Sequence, residues 1–159
     1  MERKSGVLMH ISSLYNDYSV GSFGKEAKEF VDFLADCKFS YWQVLPFCMA
    51  DDCNSPYQSY STFAGNPYFV DLNTLFEKGV ITAEELNAQR QEQPYSAEYV
   101  RLYHTRLNLL HTASKRVKNV DEINQFIEEN PYLKQFCEFM AFKASNDNKP
   151  WYEWENNSY

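Results

Sequence analysis

The sequence predicts an α/β fold that opens with a parallel βαβ unit and continues into helices. Three observations lead there. Two apolar runs, residues 5–14 (SGVLMHISSL) and 41–47 (YWQVLPF), flank a segment of helical period. A glycine-bearing turn region separates the first run from that helix. Beyond about residue 75 strand patterns stop and helix signals follow one another. A strand, a loop, a helix and a strand within about 45 residues make a βαβ unit, which implies parallel strands.

Taken in order, residues 5–14 follow a charged start and read as a buried strand. Residues 15–24 are turn-rich, with Asn16, Asp17, Gly21 and Gly24. Residues 25–37 place Ala27, Phe30, Val31, Phe33 and Leu34 on one stripe, with Lys25, Glu26, Lys28, Glu29 and Asp32 mostly opposite. Residues 41–47 carry β-branched and aromatic side chains and read as the second strand. Residues 48–67 have little periodicity; an irregular stretch of that length in a compact domain is usually functional. Residues 68–72 (YFVDL) read as a third short strand.

Thr82 and Glu85 have the spacing of a capping box, which predicts a helix over 83–90. Residues 96–117 form a longer helix, with Tyr99, Leu102, Tyr103, Leu110, Ala113 and Val117 on one side. Asp121 can cap a helix over 122–129, and Pro131 suits the first turn of a helix running to residue 144. Residues 146–159 are polar and read as a loose tail. The expected organisation is therefore 1–75, then a helical region 76–145, then the tail.

With 15 Lys and Arg against 22 Asp and Glu, the chain carries −7, which argues against nucleic acid. The one basic cluster, Lys115, Arg116 and Lys118, reads as a solvated helix end. No stretch reaches the roughly 20 apolar residues of a membrane span, and the N-terminus shows no signal-peptide core, so a cytoplasmic protein is expected. Cys37, Cys48, Cys53 and Cys137 form no CxxC pair, and Cys48-x4-Cys53 is not a usual zinc spacing; reduced thiols and no metal follow.

The aromatic content is the unusual quantity. The 12 Tyr, 12 Phe and 3 Trp suit either a large aromatic core or a stacking surface for flat ligands such as sugars. His10, His104 and His111 are isolated and read as structural. No GxSxG elbow is present, and Gly21-x-x-Gly24 lacks the pattern of a phosphate loop, so no cofactor is expected. Glycosidic cleavage needs two carboxylates. Asp51 and Asp52 in the loop, Asp71 after the third strand candidate, and Glu84 and Glu85 at a helix start are weak candidates; none is assigned as catalytic.

The best candidate site is residues 54–67 (NSPYQSYSTFAGNP), which gather hydroxyls, amides and two tyrosine rings on one loop. Tyrosine rings stack on the apolar faces of pyranoses, and Ser, Gln and Asn both donate to and accept from sugar hydroxyls. The same composition also suits a packed loop whose polar groups satisfy its own backbone.

The stretch SPYQSYSTFAGNPYFVDL resembles the signature of the amylomaltase-type 4-α-glucanotransferases of glycoside hydrolase family 77. The resemblance extends through SGVLMHISSL, VGSFGKEAKEFVDFLA and SYWQVLPF, and returns in FMAFKASNDNKPWYEW. It covers most of residues 3–75 and about 139–154. It implies the N-terminal part of a (β/α)8 TIM barrel, two or three parallel strands, with a helical insertion region. It also implies retaining transfer of α-1,4-glucan segments between malto-oligosaccharides through a covalent glycosyl-enzyme. Ser55 and Tyr57 would line the sugar subsites, with Gln58 beside them and shaping the loop together with the Gly65-Asn66-Pro67 turn.

Two departures from that family stand out. Residues 48–54 (CMADDCN) replace a glycine-rich GPTGYGD-like stretch, putting Asp52 in place of an aromatic. Tyr15 stands where proline is common. A whole barrel takes roughly 250 residues. The family's nucleophilic aspartate, acid/base glutamate and stabilising aspartate lie on later strands, and no position here matches their motifs. The expectation is an inactive N-terminal portion of a cytoplasmic 4-α-glucanotransferase, missing the C-terminal remainder of the barrel, with apolar surface exposed around residues 41–47. The competing expectations are a non-catalytic glucan-binding module and a helical interaction module built on 76–145.

Overall fold

A computed structural model describes residues 3–50 and 55–154. The elements are β1 (Gly6–Leu8), α1 (Lys25–Asp36), β2 (Tyr41–Gln43), α2 (Leu72–Glu77), α3 (Ala83–Ala88), α4 (Tyr99–Ser114), α5 (Val120–Glu129) and α6 (Tyr132–Ser145). Short 3-10 turns occupy Ile11–Ser13, Pro67–Phe69 and Trp151–Glu153. The chain forms two compact units, Met1–Val117 and Lys118–Tyr159.

The βαβ unit is present. β1 pairs parallel with β2 in the register Gly6 to Tyr41, Val7 to Trp42 and Leu8 to Gln43. The Ser40 N–H donates to Ser5 O at 2.9 Å and the Met9 N–H donates to Gln43 O at 3.0 Å, so the ladder is extended by one bond at each end. Both strands are shorter than their apolar runs. The Trp42 indole donates to Met9 O at 2.8 Å, and the Leu14 N–H donates to Ile11 O at 3.0 Å. These bonds divert the backbone from a ladder into a turn. The first strand is not buried as expected, Leu8 being 59% exposed, whereas Tyr41, in the run expected to expose apolar surface, is 60% exposed.

The third strand expected at 68–72 is absent. Asn66 Oδ1 accepts the Tyr68 N–H at 3.0 Å, and Asp71 Oδ2 accepts both the Thr74 N–H at 2.8 Å and its hydroxyl at 2.7 Å. Side-chain acceptors at both ends draw the segment into a 3-10 turn and then the start of α2, where an extended strand would leave them unused. Asp71 is thus a helix cap.

The first unit holds two apolar clusters. One joins Ile11, Leu14, Val20, Ala27, Tyr68, Phe69 and Leu102, with Phe30, Trp42 and Phe47 packed against it. The other joins Tyr18, Leu72, Ile81, Leu86, Leu109 and Ala113. Helix α4 enters both, so residues 76–117 share their cores with the N-terminal segment. The division between the two compact units falls at 117/118.

The capping box is formed. Thr82 Oγ1 accepts the Glu85 N–H at 3.2 Å, and Glu85 Oε2 accepts the Thr82 N–H at 2.8 Å. The Arg116 guanidinium grips the same carboxylate at 2.6 and 2.9 Å. Those bonds from Arg116 and the Thr82 amide hold the Glu85 carboxyl down to about 2. One member of the basic cluster is therefore engaged within the fold.

Gly21 and Gly24 serve packing. A Cβ on Gly21 would lie 2.0 Å from Ile11 O, and one on Gly24 would lie 2.4 Å from Asp71 Oδ1. Close approach of backbone to backbone explains the first glycine, and approach to the capping carboxylate explains the second.

In the second unit, Asn119, rather than Asp121, caps α5; its Oδ1 accepts the Glu122 N–H at 3.3 Å. Pro131 precedes α6. The tail is folded as far as Trp154, which is 7% exposed and donates its indole N–H to Lys149 O at 2.9 Å. Among the described residues no helix is long and apolar enough to cross a membrane.

Candidate functional site

In parallel α/β folds, ligands gather where strands run out at their C-terminal ends. Here the segments that leave β1 and β2 converge on a cleft of about 180 Å³. His10, Ser12 and Ser13 come from the exit of β1; Leu45, Pro46, Cys48 and Ala50 come from the exit of β2. Pro56, Asn66, Tyr68 and Phe69 come from the following loop and turn, and Tyr99 and Tyr103 from the first turns of α4.

The loop is held over the cleft at several points. Cys48 bridges to Gly65 and Ala50 to Ser59, both antiparallel. The Asn66 N–H donates to Phe47 O at 2.8 Å. Ser61 Oγ accepts the N–H groups of Phe63 and Ala64, each at 3.2 Å. Much of the loop's polar content therefore satisfies its own backbone, as the packed-loop reading expected.

Of the expected site residues Ser55, Tyr57 and Gln58, none lines this cleft. Ser55 is half-buried, and its carbonyl accepts the Gln58 N–H at 3.1 Å, closing a tight turn. Tyr57 is 74% exposed and Gln58 is exposed. Pro56, between Ser55 and Tyr57, is the member of that turn that lines the cleft. Asp51, Asp52, Cys53 and Asn54 lie outside the described residues.

The walls are aromatic and neutral. The His10 ring stacks on Phe47 at 5.8 Å and meets the edge of Phe69 at 5.4 Å. Burial lowers its pKa below the usual 6.5, against the opposing effect of a backbone hydrogen bond at Leu45. Tyr68 faces Tyr103 at 5.2 Å, and Tyr103 faces Tyr99 at 6.2 Å. Burial pushes the Tyr68 phenol up to about 12. Behind Tyr68, the buried Arg106 donates to Tyr18 O at 2.5 Å and to Tyr68 O at 3.4 Å. Burial lowers Arg106 to about 10, while Asp71 and Tyr68 favour its charge.

At neutral pH this cleft presents an uncharged imidazole, phenols, hydroxyls and one amide. That set recognises a neutral ligand rich in hydroxyls. Among the described residues no carboxylate lines it. Among the described residues no group of three His, Cys, Asp or Glu could hold a metal ion.

Sequence reasoning missed His10, Tyr68, Tyr99 and Tyr103 as members of the site. The signal for the last two was present: tyrosines four apart on one helix face. They read as core because the stripe continued through Leu102 and Ala113.

His10 gives a pH dependence with a definite sign. Its folded pKa lies below the unfolded value near 6.5. The folded state therefore binds fewer protons, and His10 destabilises the fold as pH drops below about 6.5 toward the folded pKa. Urea melts between pH 8 and 5 are expected to show this decline, and His10→Gln is expected to flatten it in that window.

A family model described as 4-alpha-glucanotransferase matches residues 9–159. The 4-alpha-glucanotransferase of Streptococcus pneumoniae serotype 4 is 44% identical over 158 residues, covering 96% of this chain and 31% of the relative. That of Aquifex aeolicus is 37% identical, with coverage of 96% and 31%. Among solved structures, amylomaltase from Streptococcus agalactiae in complex with acarbose superposes with a TM-score of 0.90 at 36% identity, covering 98% of this chain and 32% of that one. The chain spans about a third of the length of the curated relatives it matches.

Proposed function

The chain belongs to the 4-alpha-glucanotransferase family, and on that premise we propose that it forms a sugar-contacting, N-terminal part of a retaining enzyme that moves α-1,4-glucan segments between malto-oligosaccharides. The observation that carries this is the neutral, aromatic-walled cleft at the ends of two parallel strands, with the SPYQ turn at its side. Tyr57 offers an exposed ring as a platform for a pyranose face. In this reading the Ser55 hydroxyl and the Gln58 amide hydrogen-bond sugar hydroxyls, and His10, Tyr99 and Tyr103 extend the same surface. The nucleophile and the acid come from barrel strands other than β1 and β2. Cytoplasmic residence is part of the same reading, in keeping with the free thiols Cys37, Cys48 and Cys137.

Calorimetric titration with maltoheptaose tests this. Saturable binding is expected, with Tyr57→Ala weakening it roughly tenfold or more, equivalent to about 1.4 kcal/mol. Incubation of the chain alone with maltotriose is expected to yield neither glucose nor longer oligomers. Binding that ignores Tyr57→Ala, or robust turnover by this chain alone, would refute the assignment.

A further inference from the structure

A second cleft, of about 300 Å³, adjoins the first: Ser12, Ser13 and Tyr99 line both. Its other walls come from the loop that begins at Leu14 and from residues 91–97. Those two segments are tied together by backbone hydrogen bonds. The Gln91 N–H donates to Asp17 O at 2.9 Å, the Asn16 N–H to Pro94 O at 3.2 Å and the Glu98 N–H to Ser19 O at 2.7 Å. The cleft is therefore built into the first unit. Its volume reaches the lower end of the range for ligand sites, about 300–1,000 Å³. Among the described residues that line it, none is charged.

Gln91 lines this cleft and is 6% exposed. Its Nε2 donates to Asn16 O at 2.9 Å and to Ser96 O at 3.1 Å. Two carbonyl acceptors fix which end of the amide carries the hydrogens, so the other end, Oε1, is an acceptor. Among the described residues Oε1 has no hydrogen-bond partner. Buried acceptors are almost always bonded, so this one calls for a donor from outside the fold.

Two tyrosines stand at the rim. Tyr95 lines the cleft and is 85% exposed, and its ring meets the edge of the exposed Tyr15 ring at 5.3 Å. The Tyr15 hydroxyl donates to Asp17 Oδ1 at 3.0 Å, and Asp17 pairs with Arg90 at 3.2 Å, which holds the Tyr15 ring in place. Rigid aromatic rings give a ligand large contact area at little cost in ordering. Tyr15 stands where the family commonly has proline, so the ring pair belongs to this chain's own sequence. Exposed tyrosine faces, serine hydroxyls and an amide acceptor, with no charge among them, suit a neutral ligand rich in hydroxyls and not an ion.

We propose that this second cleft takes further glucose units of the same α-1,4-glucan that the first cleft holds, the glucan crossing from one to the other at Ser12, Ser13 and Tyr99. The proposal rests on the glucan-transfer reading and adds to it a binding cleft and a length preference. Glucans long enough to fill both clefts bind more tightly than short ones. Gln91 Oε1 accepts from a sugar hydroxyl, and a pyranose face lies on the Tyr95 ring.

Calorimetric titrations of the whole chain with maltotriose and with maltoheptaose test this. Maltoheptaose is expected to bind at least tenfold more tightly than maltotriose. In Tyr95→Ala that advantage is expected to fall below threefold, with maltotriose affinity unchanged. Tyr15→Ala, which removes the other ring, is expected to act in the same direction and more weakly. Both rings are exposed, so circular dichroism and urea melts of the variants are expected to match the parent. Backbone amide signals of Gln91 and Ser96 are expected to shift on adding maltoheptaose, with the same affinity as that of Tyr57. Unchanged maltoheptaose affinity in both variants, alongside binding that Tyr57→Ala weakens, overturns the second cleft and leaves the transferase reading intact. Equal weakening of both sugars in Tyr95→Ala overturns it too, because the short sugar would then use the same residues. Maltoheptaose binding that Tyr95→Ala abolishes and Tyr57→Ala spares upholds the second cleft and counts against the first as a sugar site. No binding of either sugar overturns both.

Discussion

Gly21→Val is expected to unfold the first unit at room temperature or to leave it barely stable. The Cβ of any side chain at position 21 would sit 2.0 Å from Ile11 O and 3.0 Å from Leu14 Cβ. Ile11 and Leu14 are both buried in the main cluster. Neither can retreat without opening the turn that carries Ser12 and Ser13 into the cleft. Overpacking of a core usually costs about 1–3 kcal/mol. A backbone-to-backbone overlap of this size places Gly21→Val above that range, at roughly 3 kcal/mol or more. Gly65→Ala is the control: a Cβ there meets no atom within 4 Å among the described residues, and it is expected to stay within about 0.5 kcal/mol of the parent. Urea denaturation followed by circular dichroism separates the two. Equal stability of Gly21→Val and Gly65→Ala would contradict the packing described here.

Arg106→Met is expected to be the most damaging change on α4. Arg106 is 1% exposed and satisfies the carbonyls of Tyr18 and Tyr68, which come from two different segments. Methionine fills similar volume but donates nothing. Each orphaned buried carbonyl costs about 1–3 kcal/mol. Against this, the charge no longer has to be kept out of water, a cost reflected in its lowered pKa of about 10. The net expectation is a loss of roughly 2–4 kcal/mol. Arg106→Lys keeps a charge but cannot reach both carbonyls in the fork geometry, so it is expected to recover less than half. The positive charge also draws the Tyr68 pKa down from where burial alone would put it. Wild-type stability in Arg106→Met would contradict the role given to this guanidinium.

What the sequence revealed and what it hid follow from how local each signal is. The capping box at Thr82 and Glu85 depends on four consecutive residues, and it was legible. The βαβ order was legible from two apolar runs and one amphipathic stripe. Strand length was not, because the Trp42 indole bond to Met9 O joins residues 33 apart and ends the ladder early. The strand expected at 68–72 had the right apolar residues, but the acceptors at Asn66 and Asp71 decided its backbone. Arg106 was passed over because a charge within an apolar stripe reads as solvent-facing; only the two carbonyls brought to it by the tertiary fold make burial tolerable. The same holds for the cleft. Ser55, Tyr57 and Gln58 were singled out as one contiguous motif, whereas the lining gathers short pieces from the exits of β1 and β2, the turn at Pro67–Phe69 and the start of α4.

Backbone amide shifts recorded as maltoheptaose is added to the labelled chain test the central claim most directly. The expected changes are concentrated at His10, Ser12, Ser13, Ser55, Tyr57, Gln58, Tyr99 and Tyr103, and they saturate together with one affinity. Saturable changes centred on α5 or α6, or an unaltered spectrum at high sugar concentration, would contradict it.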